Sequence, residues 1–373
     1  MVADAEGALH VTAAIFTEGD DGHGIGYFTN EGGPWTGEYA YQAVDGSDDE
    51  MFAIALDAAG RPRLAHYFND GRLGLRFATH ETGSWATAIL DSGADNGRGV
   101  WWAMDDAGRQ HVLYSNHDFK YEYGVRLSAS ENWAYEVILP EFDVSGFSSS
   151  SMAVDRTGIG HLVFADNPDD IYATNEPGTW VGRQMSEAPD DTFGENIDIH
   201  PAGLKAISLI QFDDGLYVGL SVEGLWSFEL IDPLSEYPHR AWLKIDSNEN
   251  IHLAYGRSDG IVYTTNTSGM WATEIIAASV IPDDSTSWPI VVIVDSADTP
   301  RVFLAMMTRR VTPKNRNSDG TLPKLEPRAS FLLQRSTQTT QYMFSERQRK
   351  TTFGTRRIAL GPGQQRHLIK TAI

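Results

Sequence analysis

The chain has 373 residues, no cysteine, 41% apolar residues and a formal net charge of −22 at pH 7. Without cysteine it forms no disulfide, has no thiol nucleophile and offers no cysteine metal ligand. Its apolar content is ample for a packed core, which excludes wholesale disorder, and its longest apolar stretch, 289–294, has only the length of a strand, so we expect no membrane span.

Two sequence markers repeat along the first 300 residues with a common period of about 45–50 residues. The first is a tryptophan after a turn, found at Trp35, Trp85, Trp133, Trp180, Trp226 and Trp271. The second is Asp-x-x-Gly, which begins at Asp4, Asp57, Asp105 and Asp155 and is present in weaker form at His200, Asp246 and Asp295. Two markers that keep one period indicate tandem copies of a single module.

Each module contains four short runs of β-branched and aromatic residues, which predict strands A to D. Strand A ends at the Asp of the turn (52–56 in the second copy), and strand B follows the turn, as at 161–164. Strand C precedes the tryptophan turn (73–77), and strand D begins at the tryptophan (85–90). Repeated four-stranded units of this size are typical of a β-propeller, so we predict an all-β propeller fold.

Six blades are favoured, because six tryptophan turns and six well-formed A strands are present. In this arrangement the strand at 289–295 completes the N-terminal blade, which has at most a short A strand of its own. Seven blades remain an alternative, because 301–305 has the pattern of another strand B.

The C-terminal part has a different composition and defines the predicted domain boundary. Residues 309–373 contain 14 Lys and Arg against 3 Asp and Glu, so the first 308 residues hold the remaining 15 basic and 48 acidic residues. We therefore predict a propeller over 1–308 and an irregular basic tail over 309–373. The tail is disordered, docked on the acidic propeller, or the product of a misread gene end.

The repeat, Asp-x-x-Gly-x-x-His-[Leu/Val] followed by a Tyr or Phe, a polar turn and Gly-x-Trp, resembles the bacterial propeller repeats of the BNR/sialidase-like group over about residues 4–306. The resemblance supports the fold and implies an extracellular or cell-surface location. The catalytic Ser-x-Asp-x-Gly-x-x-Trp box and the Phe-Arg-Ile-Pro motif of sialidases are not matched, so it does not imply sialidase chemistry. The N-terminus shows no secretion signal, and we expect the natural start to lie upstream.

Because strands alternate in direction, B–C loops and D–A connectors should share one rim, and every B–C loop contains aspartate. Such a rim should repel polyanions, so we expect no nucleic-acid partner. No cofactor is evident apart from Ca²⁺, for which the candidate ligands are Asp70, Asp118, Asp169, Asp214 and Asp259. The alternative is that these residues only cap turns.

Histidines recur six residues after the turn Asp, at His10, His111, His161 and His252, with Arg63 and Arg301 in the same position. A residue repeated in successive blades is expected to stabilise the scaffold, and the same applies to the recurring tryptophans. Function is expected where the repeat is broken.

The beginnings of the A strands differ most between blades. Trp101 and Trp242 occupy the position four residues before the turn Asp, where other copies carry small, polar or aliphatic residues. Aromatic rings beside Arg and His are typical of sugar sites. The candidate ligand-binding residues are Trp101, Trp242, Arg98, His239, Arg240 and Trp288. Packing between blades is the alternative role of the two tryptophans.

These observations favour a monomeric, non-catalytic module that binds a glycan or a protein. The first alternative is a polysaccharide lyase or glycoside hydrolase on the same fold, with an acid–base residue among His66, Tyr67, His117, Tyr123, His239 and Arg240. The second is a structural fragment of a larger surface protein.

Overall fold

The computed structural model describes residues 1–371 except 16–23, 43–51, 70–72, 82, 93–97, 117, 119, 127–131, 143–149, 167–168, 212–214, 223, 234–238, 279–289, 305–331, 337–338, 344–352 and 361–363. Every regular element in these residues is a β-strand. None of the described residues forms a helix long and apolar enough to cross a membrane.

Six four-stranded antiparallel sheets follow one another along the chain, each with its strands in the spatial order A-B-C-D. They are the blades of a β-propeller, which confirms the predicted fold class. The strands of blades 1 to 3 are β1 (Val2–Ala3), β2 (Leu9–Ile15), β3 (Gly24–Thr29), β4 (Thr36–Gln42), β5 (Phe52–Leu56), β6 (Pro62–Asn69), β7 (Leu73–His80), β8 (Trp85–Asp91), β9 (Arg98–Met104), β10 (Gln110–Ser115), β11 (Tyr121–Arg126) and β12 (Ala134–Ile138).

Blades 4 to 6 repeat the arrangement with β13 (Ser150–Val154), β14 (Gly160–Asp166), β15 (Asp169–Thr174), β16 (Val181–Gln184), β17 (Thr192–Ile199), β18 (Lys205–Gln211), β19 (Gly215–Val222), β20 (Leu225–Asp232), β21 (His239–Ile245), β22 (Ile251–Arg257), β23 (Gly260–Thr265) and β24 (Ala272–Ala278). The remaining strands form three two-stranded sheets, in the order of β25 (Ile290–Val294) with β26 (Pro300–Leu304), β27 (Leu332–Ser336) with β28 (Thr339–Met343), and β29 (Phe353–Leu360) with β30 (Gln364–Thr371).

The predicted pairing of the strand at 289–295 with the N-terminal blade is wrong. β25 pairs with β26, from Ile290 opposite Leu304 to Val294 opposite Pro300, and β1 serves as strand A of blade 1. The reason is local: the turn at Asp295 reverses the chain by the same hydrogen bonds as in the complete blades, so β25 meets the strand that immediately follows it.

The described residues divide into two compact units, one within 1–184 and the other within 185–308 and 327–373. The predicted domain boundary at residue 308 stays a prediction. Within the first unit, separate apolar clusters lie between blades 1 and 2, 2 and 3, and 3 and 4. Within the second unit, clusters lie between blades 5 and 6 and between blade 6 and the β25–β26 pair. Alternate residues of each strand thus pack against the neighbouring sheet.

The A–B turn is held by the carboxylate of its aspartate. In Asp57, Asp155, Asp246 and Asp295, Oδ1 accepts hydrogen bonds from the backbone N–H groups two and four residues later. Burial alone would raise the pKa of these carboxyl groups, but the hydrogen bonds outweigh it and the pKa of each lies below its ordinary value. The folded state therefore favours the ionised form of these aspartates.

The recurring histidines join this turn to strand C, which confirms their predicted scaffold role. In blade 6, His252 Nε2 lies 3.2 Å from Asp246 Oδ2, while Nδ1 lies 2.5 Å from the hydroxyl of Tyr263. The same histidine–tyrosine contact is present in three other blades, as His10–Tyr27, His111–Tyr123 and His161–Tyr172. All four histidines are buried.

Blades 2 and 5 lack the histidine and the tyrosine together. In blade 2, Arg63 bonds Asp57 directly at 2.7 Å, and the tyrosine position is Phe77. In blade 5, the two positions are the buried apolar residues Ala206 and Val218. A phenol without its imidazole partner would leave a buried polar group unpaired, so the two positions change as a pair.

Three of the recurring tryptophans contact the preceding blade, as expected of scaffold residues. Trp85 donates from Nε1 to Glu38 Oε1 at 2.9 Å, and Trp271 donates in the same way to Glu229 Oε2 at 3.0 Å. The ring of Trp180 meets the ring of Tyr123 edge-on, with centroids 5.1 Å apart. These tryptophans are structural.

Removing one hydroxyl from the repeated pair should destabilise the fold. Tyr27→Phe leaves the buried His10 Nδ1 without its partner, and we expect a loss of about 1–2 kcal/mol in the free energy of unfolding, measured by urea titration. Tyr39→Phe in the same blade is the matched control, because no hydrogen bond from its hydroxyl is present among the described residues. Equal losses in the two variants would contradict the role given to the His10–Tyr27 contact.

A buried histidine in blade 2 should make the protein sensitive to mild acid. Burial lowers the pKa of His66 to about 4, helped by the nearby Arg76 and opposed by the hydrogen bond to the Tyr67 carbonyl. The unfolded chain binds this proton near pH 6.5, so stability is complete above that pH and falls by about 3 kcal/mol as pH drops from 6.5 to 4. His66→Leu, which copies Leu209 of blade 5, should flatten this part of the curve of unfolding free energy against pH. An unchanged slope would contradict the assignment.

Candidate functional site

The position four residues before the turn varies between blades and is tryptophan in blades 3 and 6. The residues are Ala53, Trp101, Ser151, Asn196, Trp242 and, in the β25–β26 pair, Val291. Each pairs with the strand B residue that lies eight positions after the first residue of the turn, as in Trp101 opposite Leu113 and Trp242 opposite Ala254. The constant register makes these positions directly comparable.

A β-bulge precedes this position in blades 3, 5 and 6. In blade 3 the pairing of strands A and B shifts between the strand B residues Leu113 and Ser115. In blades 5 and 6 it shifts between strand A residues, from Gly194 to Asn196 and from His239 to Trp242. Bulges redirect side chains and are common beside binding sites. The beginnings of these A strands therefore depart from the regular ladder where the sequence also departs from the repeat.

In the first unit, Trp101 is half-buried and packs against the apolar cluster between blades 3 and 4. Its ring lies over the backbone of Gly99, where an added Cβ would come within 2.9 Å of Trp101 Cη2. Gly99 has a φ of 64°, a conformation that glycine adopts without strain. The ring position thus requires a glycine two residues earlier.

In the second unit, Trp242 is half-buried against the cluster between blade 6 and the β25–β26 pair. Its indole Nε1 is buried and has no hydrogen-bond partner among the described residues. Both tryptophans therefore serve packing to some degree. Packing between neighbouring sheets, the alternative role predicted from the sequence, therefore applies to both. A ligand would contact only the part of each ring that is still exposed.

Arg240 is an exposed residue in the blade 6 bulge, two positions before Trp242. Its φ is 50°, in the left-handed region that costs a non-glycine residue about 1 kcal/mol or more. No hydrogen bond or ion pair of its guanidinium is present among the described residues. Arg240 is thus an exposed cation on a strained backbone.

A charged network joins the end of strand D of blade 5 to strand B of blade 6. Asp232 Oδ2 accepts hydrogen bonds from the Tyr255 hydroxyl and from Arg257 Nη1, the latter at 3.2 Å. Arg257 also donates from Nη2 to Asp259 Oδ2 at 2.7 Å. The hydrogen bond to Asp259 raises the pKa of Arg257, and the same contact lowers the pKa of Asp259. Arg257 is thus shared by two carboxylates, one from each of two neighbouring blades.

The bond between Asp232 and Tyr255 was not predicted from the sequence, although a signal was present. Blades 2 and 3 are joined by an equivalent pair, with the Tyr114 hydroxyl donating to Asp91 Oδ2 at 2.9 Å. Burial, followed by the charge of the neighbouring aspartate, raises the pKa of Tyr114, so the phenol stays protonated. A comparison of the ends of strands B and D between blades would have found both pairs.

For two of the remaining ligand-binding candidates, Arg98 and His239, the structure describes the backbone. Arg98 and His239 begin β9 and β21, and their backbones pair with Ser115 and Gly256. Trp288 lies outside the described residues. The six candidates therefore stay a prediction as a set, with Trp101 in the first unit and Arg240 and Trp242 in the second.

The predicted calcium ligands receive no support from the described residues. Asp259 is bonded to Arg257, and Asp118 is an exposed turn residue whose N–H donates to Asn116 Oδ1 at 3.0 Å. Asp169 lies in β15, and Asp70 and Asp214 lie outside the described residues. No cluster of three or more acidic or histidine side chains suited to a metal is present in the described part of the chain.

Most of the described acid–base candidates are buried scaffold residues. The His66 side chain is fully buried against the Tyr41 ring, with ring centroids 4.7 Å apart. Tyr123 is bonded to His111, and Tyr67 is buried. His117 lies outside the described residues. His66 and Tyr123 are therefore wrong as candidate catalytic bases, because substrate cannot reach them.

The chain matches no protein family and no curated protein. Its fold is similar to that of AofleA from Arthrobotrys oligospora, with 12% identity, a TM-score of 0.50, and coverage of 69% of this chain and 80% of that one. It is also similar to virginiamycin B lyase from Staphylococcus aureus, with 10% identity, a TM-score of 0.50, and coverage of 80% and 95%. A fucose-specific lectin from Aleuria aurantia aligns with 12% identity, a TM-score of 0.45, and coverage of 69% and 92%.

These similarities show the propeller fold and nothing finer, because every identity is far below the level at which function is shared. They do not show the BNR/sialidase-like family, and that resemblance stays a prediction. A shared fold does not by itself choose between binding and catalysis.

Proposed function

We propose that this protein is a non-catalytic binding module that recognises a glycan through the beginnings of its A strands. The observation that carries the proposal is the combination of Arg240 and Trp242 in one bulge: an exposed, strained cation beside a partly exposed aromatic ring. A ring face that stacks on a sugar and a polar group that fixes its orientation are the usual components of such a site.

The alternative of a protein ligand is less well supported by this geometry. A specific protein interface buries roughly 800 Å² on each partner and needs a cluster of exposed aromatic or apolar anchors. The tryptophans of the candidate site are instead half-buried, with only part of each ring accessible. A small rigid ligand such as a sugar ring fits a contact of this size better.

A lyase or glycosidase function is favoured by no described residue. Acid–base catalysis needs a titratable group within hydrogen-bond reach of substrate, and the described candidates His66 and Tyr123 are enclosed by the scaffold. Asp232 and Asp259 are held by Arg257, so neither is arranged as a free acid or base. We therefore propose recognition without turnover.

Replacement of the site tryptophans should weaken glycan binding. Trp242→Phe retains a ring for packing but reduces the stacking face, and we expect about a tenfold loss of affinity for the bound glycan, equivalent to about 1.4 kcal/mol. A glycan array identifies the ligand, and titration of the intrinsic tryptophan fluorescence measures the affinity.

Trp271→Phe is the matched control, because Trp271 is a repeated scaffold residue whose indole bonds Glu229. It should lower stability without changing glycan affinity. An array that shows no binding by the wild-type protein, or equal affinities for Trp242→Phe and the wild type, would contradict the proposed function. Turnover of an aryl glycoside or a uronic-acid polymer by the wild type would do so as well.

A further inference from the structure

The position of Arg240, six residues before the turn, is glycine in blades 3 and 5, and methionine and serine in blades 2 and 4. The residue six positions before the turn is described in three complete blades, where it is Gly99, Gly194 and Arg240. Gly99 and Arg240 share the left-handed backbone, with φ of 64° and 50°. Glycine suits this conformation, so the long charged side chain in blade 6 replaces the residue that the backbone favours.

The other strained residues have evident structural compensations. Five non-glycine residues have a positive φ among those described: Leu139, Asp191, Arg240, Glu249 and Asp298. Leu139 is buried in an apolar cluster, and Asp298 accepts hydrogen bonds from Ser247 and Asn248. Glu249 lies 3.5 Å from His200, and aspartate tolerates this conformation better than most residues. Arg240 has neither burial nor a bond within the described chain.

Strain that is kept without a structural return is characteristic of binding residues, and the side chain defines what is bound. A guanidinium presents planar, charged N–H donors that match a carboxylate in a two-point contact. The carboxylates Asp232 and Asp259 of blades 5 and 6 are both paired with Arg257. No carboxylate among the described residues is bonded to Arg240, so its guanidinium can pair with one from a ligand.

We infer that the blade 6 site is specific for a carboxylated sugar, a uronate, whose carboxylate pairs with Arg240 while its ring lies beside Trp242. The inference rests on the proposed function and names the ligand class of that site. A short ligand with an isolated carboxylate is favoured over a long polyanion, because the chain as a whole carries a net charge of −22.

The test compares glucuronate- and galacturonate-containing oligosaccharides with the same oligosaccharides reduced to their neutral glucose and galactose forms, by isothermal titration calorimetry. The wild type should bind the acidic forms at least about tenfold more tightly. Arg240→Gln should abolish this preference. Arg240→Gly should also abolish it while raising the urea midpoint of unfolding, because glycine relieves the strain.

Glu249→Gly is the matched control, since it relieves the same kind of strain in the A–B turn of the same blade. It should raise the urea midpoint and leave the preference for acidic sugars intact. Binding of neutral and acidic forms with equal affinity, or an acidic preference that survives Arg240→Gly, would overturn the inference and leave the proposed function standing. If the wild type binds neither form and no glycan on the array, the proposed function fails as well.

Discussion

The structure depends on the carboxylate that closes the A–B turn in every blade except blade 5, where His200 replaces the aspartate. Oδ1 of the aspartate accepts hydrogen bonds from two backbone N–H groups of the turn. Oδ2 contacts a histidine or an arginine of strand B, and in blade 6 it contacts both His252 and the side-chain amide of Asn250. This carboxylate fixes both the length of the turn and the register of strands A and B. Because the register is constant, every residue counted from the turn occupies the same place in each blade.

A constant register separates residues that hold the fold from residues that are free to acquire a role. His, Tyr and the recurring Trp fill equivalent places with equivalent contacts, and their chemistry is consumed by the scaffold. The beginnings of the A strands lie beyond the last shared hydrogen bond, where bulges release the chain from the ladder. Substitutions at the beginnings of the A strands do not disturb the hydrogen bonds of the A–B turn, so the sequence varies there. Arg240 shows that even an unfavourable backbone conformation is tolerated at this position.

The fold could be predicted from the sequence because its signals are local: a turn aspartate, a tryptophan after a turn, and alternating strands with one period. Strand bounds and the scaffold role of the histidines follow from those signals. The pairing of β25 with β26 was predicted only within the seven-blade alternative, because the closing of a propeller depends on distant strands, whereas this pair forms across its own turn. The bulges, the enclosure of His66 and the Asp232–Tyr255 bond depend on contacts between neighbouring blades, which no single repeat reveals.

Blade 5 shows how such a chain diverges. Its turn aspartate has become His200, and the histidine and tyrosine positions are Ala206 and Val218, so the whole polar trio has been exchanged for another solution. A blade that has only the imidazole or only the phenol is destabilised, because a buried polar atom is then left without a hydrogen-bond partner. One arrangement of these residues therefore converts into the other only when two or three residues change together. Exchange of a whole blade by recombination avoids the destabilised intermediate that single substitutions would pass through.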